Sequence, residues 1–384
     1  MGPTETPPPK NQFSKGLEGV VAARTCLSLV DGEKSELYYL GIPIQELIAH
    51  STFEEIVYLL FFRKLPTRSE LDEFSKELAS LRTLPNEILN FLGEFPRSAH
   101  PMAMLRTMVS ALGLFDPHAE ALSKEANLQK AKRLVAVMPT IVAAFHRVRT
   151  KQKVIHPKKV LSVAENFLLM LHGKSALPEH VKALDRYLIM LADHGLNAST
   201  FAARVTISTQ SDIYSAVTSA LGTLKGDLHG SANQRAMEMF LQVEEPEKAA
   251  PYVKSLFEQK KKVMGFGHRI YKNEDPRAPQ FEEIAERLCR GSENEKWFKI
   301  AKEIEKAVQK ERPIPPNVDF YSAIVLYVLG IPVDFFTTIF AMSRVAGWTA
   351  HVLEQLEDNR LIRPEADYMG PTNQRYIPIN QRKS

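Results

Sequence analysis

The sequence predicts a mostly α-helical assembly with one minor hairpin near the N-terminus. Three observations lead there. Apolar residues recur at helical spacing along most of the chain. Strand-like runs are few and do not alternate with helical ones, which argues against a parallel α/β sheet. The composition is that of a globular chain, with 384 residues, 44% hydrophobic and 24% charged. That length buries a core without disulfides or metals and allows two or three domains at about 150 residues each.

Taken in order, residues 1–15 are polar and proline-rich and lack the apolar run of a secretory signal, so a flexible tail is expected. Cys26 to Val30 and Glu36 to Leu40 flank Asp31-Gly32 and read as a hairpin. Thr52 and Glu55 form a capping box ahead of Ile56, Leu59 and Leu60, and Pro66 is a stop. Leu71, Phe74, Leu78 and Leu81 continue at helical spacing, as do Leu184, Tyr187, Leu188 and Leu191. Ile284 and Leu288, then Ile300, Ile304 and Val308, make later stripes. Tyr321 to Met342 is the most apolar stretch. Gly330-Ile331-Pro332 and Asp334 interrupt it, so it reads as two buried helices rather than a membrane span of about 20 residues. From Pro364 onward the chain looks extended. No internal repeat is present.

Composition excludes several functions. Lys and Arg number 49 against 45 Asp and Glu, a net charge of +4 that argues against a nucleic-acid scaffold. Two cysteines, Cys26 and Cys289, exclude a disulfide framework and a Cys-based zinc site, and suit a reducing cytoplasm. There is no His-Glu-x-x-His, so no metal is expected. Gly265-Phe266-Gly267 fails as a dinucleotide fingerprint because Ile270 stands at the third glycine. Gly173-Lys174-Ser175 fails as a P-loop because Leu168 stands at the first. Lys260-Lys261-Lys262 reads as a solvated helix end, with a phosphate contact as the alternative.

Three loop-like segments carry chemistry. They are Lys225 to Asn233 with His229, Met264 to Tyr271 with His268, and Pro315 to Ser322 with Asp319. Two histidines and a carboxylate on loops suit general acid–base work on a carbon acid. A second set is cationic: Arg277, Arg344 inside an apolar helix, and Arg363. A buried arginine requires an anion, either a protein carboxylate or a small dicarboxylate ligand held by arginine forks. Ala192 to Thr200 reads as a helix break, with Asn197 or Ser199 as a cap.

Together, in this order and at these spacings, the segments resemble the citrate synthase family over almost the whole chain. The likeness runs from Gly16-Leu17-Glu18-Gly19, through Gly41-Ile42-Pro43-Ile44, to Ile362-Arg363-Pro364. It implies a two-domain, mostly α homodimer, with a large domain over 16–230 and 325–384 and a small closing domain over 231–324. It implies that Asp319 takes a proton from acetyl-CoA, that His229 donates a hydrogen bond to the thioester oxygen, and that His268 polarises and protonates the oxaloacetate ketone. His194, Arg277 and Arg344 would hold the oxaloacetate carboxylates, and Arg363 would come from the partner subunit. The turn Lys262, Val263, Met264, Gly265 and Phe266 would receive CoA, with Arg269 and Lys272 nearest its phosphates. Acetyl-CoA would be a co-substrate, with no permanently bound cofactor, and nucleic acid and membrane are not expected partners. The reaction would be citrate synthesis. A 2-methylcitrate synthase using propionyl-CoA and an inactive homologue with an assembly role are the alternatives. Asp227, Ser231, Gln234 and Gly195 depart from many relatives, and Asp227 is expected to face solvent or cap the following helix.

Overall fold

The computed structural model describes residues 13–382. Of the tail expected over 1–15, residues 1–12 lie outside the described residues. The described residues contain sixteen α-helices and one three-stranded antiparallel sheet, so the fold is mostly α.

The hairpin is present, with one more strand than the sequence suggested. β1 (Ser28–Asp31) pairs with β2 (Glu36–Tyr39), and β2 pairs with β3 (Ile42–Pro43). The second turn is Leu40-Gly41, both at positive φ (47° and 81°), the twist that tight hairpins prefer. The sequence signal for β3 is only two residues long, which is why it reads as a turn.

The helices follow the apolar stripes. α1 (Ile44–His50), α2 (Phe53–Phe62), α3 (Arg68–Ser80), α4 (Asn86–Gly93) and α5 (Pro101–Leu114) come first, then the long α6 (Lys124–Arg149). α7 (Val163–His172), α8 (Pro178–Leu191), α9 (Ala198–Ser208) and α10 (Ile213–Leu224) follow. α11 (Ala232–Val243), α12 (Ala249–Glu258), α13 (Ala278–Cys289), α14 (Glu295–Glu311), α15 (Val318–Val328) and α16 (Phe336–Glu357) complete the series. The capping box expected on α2 is half made. Thr52 accepts the Glu55 N–H, but the Glu55 carboxylate takes the Ser51 hydroxyl instead. The full box sits on α3, between Thr67 and Glu70. The apolar stretch over 321–342 is indeed two helices, α15 and α16, separated by Gly330 and Pro332. No described helix is long and apolar enough to cross a membrane.

α16 organises the core. It packs on α6, α8, α9 and α10, and 18 of its residues are buried. α11 and α13 pack on α15, and α12 packs on α14. These contacts belong to one compact unit, Thr25–Leu361. The second unit comprises the terminal segments, described from 13 to 24 and from 362 to 382. It is extended apart from two short 3-10 turns, Lys15–Leu17 and Ile379–Gln381, and it exposes Tyr368, Met369 and Tyr376.

Candidate active site

Two loops zip together to bring His268 and Asp319 onto adjacent backbone. Asn317 caps α15 by accepting the Asp319 N–H at 3.0 Å, while its Nδ2 donates to the Gly267 carbonyl at 2.8 Å. The Asn317 N–H donates to the Gly265 carbonyl at 2.8 Å, and the Gly267 N–H to Pro315 at 3.0 Å. Gly265 has φ +81°, and a Cβ there would lie 2.8 Å from the Phe320 Cβ, so glycine is required for the approach. Asp319 sits half-buried in the first turn of α15. Desolvation pushes its carboxyl up to about 6, against the pull of Arg277.

Beside it lies a buried ion pair. Arg277 grips Asp275 with two bonds, Nε to Oδ1 at 2.9 Å and Nη2 to Oδ2 at 2.8 Å. Asp275 also accepts the Val318 N–H at 3.1 Å, which ties the 275–277 turn to the start of α15. Arg344, on α16, is equally buried but has no carboxylate within ion-pair distance among the described residues. Its Nε donates to the Leu191 carbonyl at 2.7 Å, and its guanidinium lies 4.7 Å from the centre of the Phe340 ring. Of the two sources of an anion left open by the sequence, the protein carboxylate holds for Arg277 and fails for Arg344.

The three histidines are all biased toward the neutral form. His268 Nδ1 accepts the N–H groups of Ile270 at 3.0 Å and Tyr271 at 3.1 Å, which assigns the ring proton to Nε2. Burial and then Arg277 push its pKa down to about 4. His229 Nε2 accepts the Ser199 N–H at 3.3 Å and lies 2.8 Å from the Ser199 hydroxyl. A backbone N–H only donates, so the His229 proton is assigned to Nδ1. Trp348 Nε1 donates to the same hydroxyl at 3.0 Å and fixes it. Burial, then Arg344, pushes His229 down to about 4. His194 is buried, with Nε2 3.1 Å from the Tyr271 hydroxyl and its ring centre 5.4 Å from that of His268. Burial, Arg277 and Arg344 lower it well below the usual histidine value.

The fields of two arginines thus meet on the titratable groups. Arg344 acts on His194, His229 and Asp319, and Arg277 acts on His194, His268 and Asp319. Val263 is buried and Phe266 packs 4.6 Å from the Phe320 ring, whereas Lys262 and Arg269 are not buried. Lys272 reaches Glu33 at 3.3 Å. Met264 is half-buried in the same turn. Asp227 faces solvent and pairs with Arg235 at 2.7 Å rather than with His229. Arg363 is exposed in the terminal unit. Among the described residues no group of three or more His, Cys, Asp or Glu is arranged to hold a metal.

Some contributors carry no sequence signal. Ser199 reads only as a possible cap, and it is Asn197 that caps α9, leaving Ser199 to orient His229. Asp193 is fully buried and meets His351 at 3.2 Å, two residues 158 positions apart. Tyr271 stands in a quoted segment but shows its contact with His194 only in three dimensions.

Known proteins are similar to this chain in sequence and in backbone. Residues 16–365 match the family model "Citrate synthase, C-terminal domain". The chain is similar to citrate synthase 2 of Bacillus subtilis (47% identical, covering 96% of this chain and 99% of the relative). It is also similar to 2-methylcitrate synthase 1 of Corynebacterium glutamicum (38% identical, 97% and 99%). Its backbone superposes on citrate synthase from Thermoplasma acidophilum, solved in complex with carboxymethyl coenzyme A and oxaloacetate, with a TM-score of 0.92 (36% identical, 97% of this chain and 100% of that one). With a family model spanning nearly its whole length and these relatives on either side, the chain belongs to the citrate synthase family of acyltransferases.

Proposed function

We propose that the protein condenses acetyl-CoA with oxaloacetate and water to give citrate and CoA. The observation that carries this reading is a carboxyl raised to about 6 (Asp319), set with two neutral histidines in the fields of two buried arginines.

The roles follow from the chemistry of each group. Asp319 takes a proton from the methyl carbon of acetyl-CoA. A thioester α-proton is too weakly acidic for an isolated carboxylate, so the developing enolate oxygen needs a donor, and His229 Nδ1–H supplies it. Such a donor is worth about 10²–10³ in rate. The enol carbon attacks the oxaloacetate ketone, and His268 Nε2–H polarises that oxygen and protonates it. Water then cleaves the citryl thioester and releases CoA. His194, Arg277 and Arg344 hold the oxaloacetate carboxylates. Arg344 suits this role because, among the described residues, it has no carboxylate ion pair to give up. The turn Lys262–Phe266 receives CoA, and Arg269 and Lys272 meet its phosphates. The Lys272 link to Glu33 is between exposed groups and yields readily.

The same reading includes a homodimer in the cytoplasm, with Arg363 completing the partner's site. A groove of about 570 Å³ lined by Phe91, Leu114, Phe115 and Thr218 supports a self-association face, since Leu114 is 86% exposed. It further includes closure of a small domain, 231–324, over the large one, 16–230 with 325–384. Closure would strengthen Asp319 as a base by excluding water.

The likeness to 2-methylcitrate synthases supports a second reading, in which propionyl-CoA is the better substrate. The two differ by one methylene, worth about 1–3 kcal/mol. CoA release with oxaloacetate, measured as kcat/KM for acetyl-CoA and propionyl-CoA, separates them. Asp319→Asn should lower kcat by about 10²–10⁴, the usual contribution of a positioned base, while oxaloacetate still binds. Near-normal turnover would remove Asp319 from the role.

A further inference from the structure

We propose that the N-terminal hairpin is a clasp that sets the spacing of His194 and His268, with Gly32 and Ser28 as its positioning residues. The inference rests on the reading above for what the two histidines bind.

One end of the hairpin holds the backbone around His194. Ser28 and Tyr39 face each other across β1 and β2. The Ser28 hydroxyl donates to Asp193 Oδ2 and accepts the Gly195 N–H at 2.9 Å. The Tyr39 hydroxyl accepts the Asp193 N–H at 3.2 Å and lies 3.0 Å from the Asp193 carbonyl. The residues on both sides of His194 are therefore tied to one rung.

The other end holds the segment after His268. Asp31 closes the turn by accepting the N–H groups of Glu33 and Lys34 at 3.0 and 2.9 Å. Against this turn, the Lys272 N–H donates to the Gly32 carbonyl at 3.1 Å, Asn273 Nδ2 to the Glu33 carbonyl at 3.3 Å, and the Glu274 N–H to the Ser35 hydroxyl at 3.1 Å. The segment closes back on the site, because the Tyr271 N–H donates to His268 Nδ1 and the Tyr271 hydroxyl meets His194 Nε2. Two strands of four residues, roughly 10 Å long, thus act as a rigid spacer between the two attachments.

Gly32 is the sensitive point. It does not adopt a left-handed conformation, so alanine is compatible with its backbone. A Cβ there would nevertheless lie 2.3 Å from the Ile270 carbonyl oxygen and 2.9 Å from its carbon. Glycine serves close approach, not a turn. Alanine forces the 270–274 segment back by about 1 Å, a displacement that costs on the order of 10²-fold when it reaches a reacting group. In the proposed domain division this contact also joins the two lobes.

The test uses the full-length protein, with Gly32→Ala compared against Gly41→Ala. Gly41 lies in the same hairpin at φ +81°, and a Cβ there would meet no atom within 4 Å, so its alanine strains the hairpin without touching the segment. The clasp predicts that Gly32→Ala raises the oxaloacetate KM at least about tenfold and lowers kcat, with a smaller effect on the acetyl-CoA KM. It also predicts faster amide hydrogen exchange at Lys272 and Glu274. Gly41→Ala should leave both readouts near wild type. Wild-type kinetics in Gly32→Ala, or equal losses in the two variants, would overturn the clasp. If the wild-type protein itself fails to turn over oxaloacetate, the functional reading falls. Exchange at Lys272 and Glu274 then decides the clasp alone, and unchanged exchange overturns it.

Discussion

Two walls of the same site hold a buried arginine in opposite ways. On the 275–277 turn, Arg277 is charge-balanced by a bidentate carboxylate, and attraction to Asp275 outweighs desolvation and raises its pKa. On α16, Arg344 has a backbone carbonyl and an aromatic face, and desolvation wins, pushing it down to about 10. The contrast separates two uses of a buried cation. Arg277 is part of the fold as well as of the site, because it neutralises the carboxylate that anchors α15. Arg344 feels the buried Asp193 carboxylate only through space, with no direct ion pair among the described residues, and a bound dianion would complete its charge balance.

Stability should break the symmetry most strongly. Arg277→Met leaves Asp275 buried and unpaired and should cost about 3–5 kcal/mol. Arg344→Met removes a charge that makes no direct ion pair among the described residues and should cost less, while raising the oxaloacetate KM on the order of 10²-fold for a lost charge-assisted bond. Urea unfolding at fixed protein concentration, beside oxaloacetate kinetics, reads both. Equal destabilisation by the two variants would end the distinction.

The pH profile sharpens it next. Asp319 must be ionised to act as a base, and its raised pKa places the acid limb of kcat/KM near pH 6. Activity should fall as pH drops through that value. His229 and His268, both near 4, should add no limb between pH 6 and 8. A limb near 4 alone would mean that Asp319 is more solvated than its surroundings imply.

The smallest effect concerns a carboxyl that mirrors Arg344 with reversed sign. Asp185 on α8 has no cation within ion-pair distance among the described residues, and desolvation and then Glu54 push it up to about 7. Its folded pKa lies above the unfolded value near 4. The native state therefore binds the extra proton, and stability is lost as pH rises between those values. Asp185→Asn keeps the oxygen that accepts the Phe53 N–H and removes the charge. Its Tm should match wild type near pH 4, exceed it increasingly up to about pH 7 and level off above that, and a constant difference would discount the titration.

Much of this molecule was legible in the chain, and the reason is local. Helical stripes, the α15–α16 break at Gly330 and Pro332, and the loops around His229 and His268 all depend on neighbours within a few residues, whereas Asp319, expected on a loop, stands in the first turn of α15 because Asn317 caps that helix. The half-made cap at Thr52 shows the limit even there, because Ser51 competed for the Glu55 carboxylate. What sequence alone determined is the fold class, the family and the identity of the candidate reacting side chains. What only the tertiary structure decided is their state. Ser199 fixes the His229 proton from 30 residues away, Asp275 engages Arg277 while no carboxylate among the described residues forms an ion pair with Arg344, and the hairpin turn meets the 270–274 segment some 240 residues later. Tautomer, ionisation and close approach are set by burial and by which groups long-range packing brings into contact, and spacing along a chain carries no record of either.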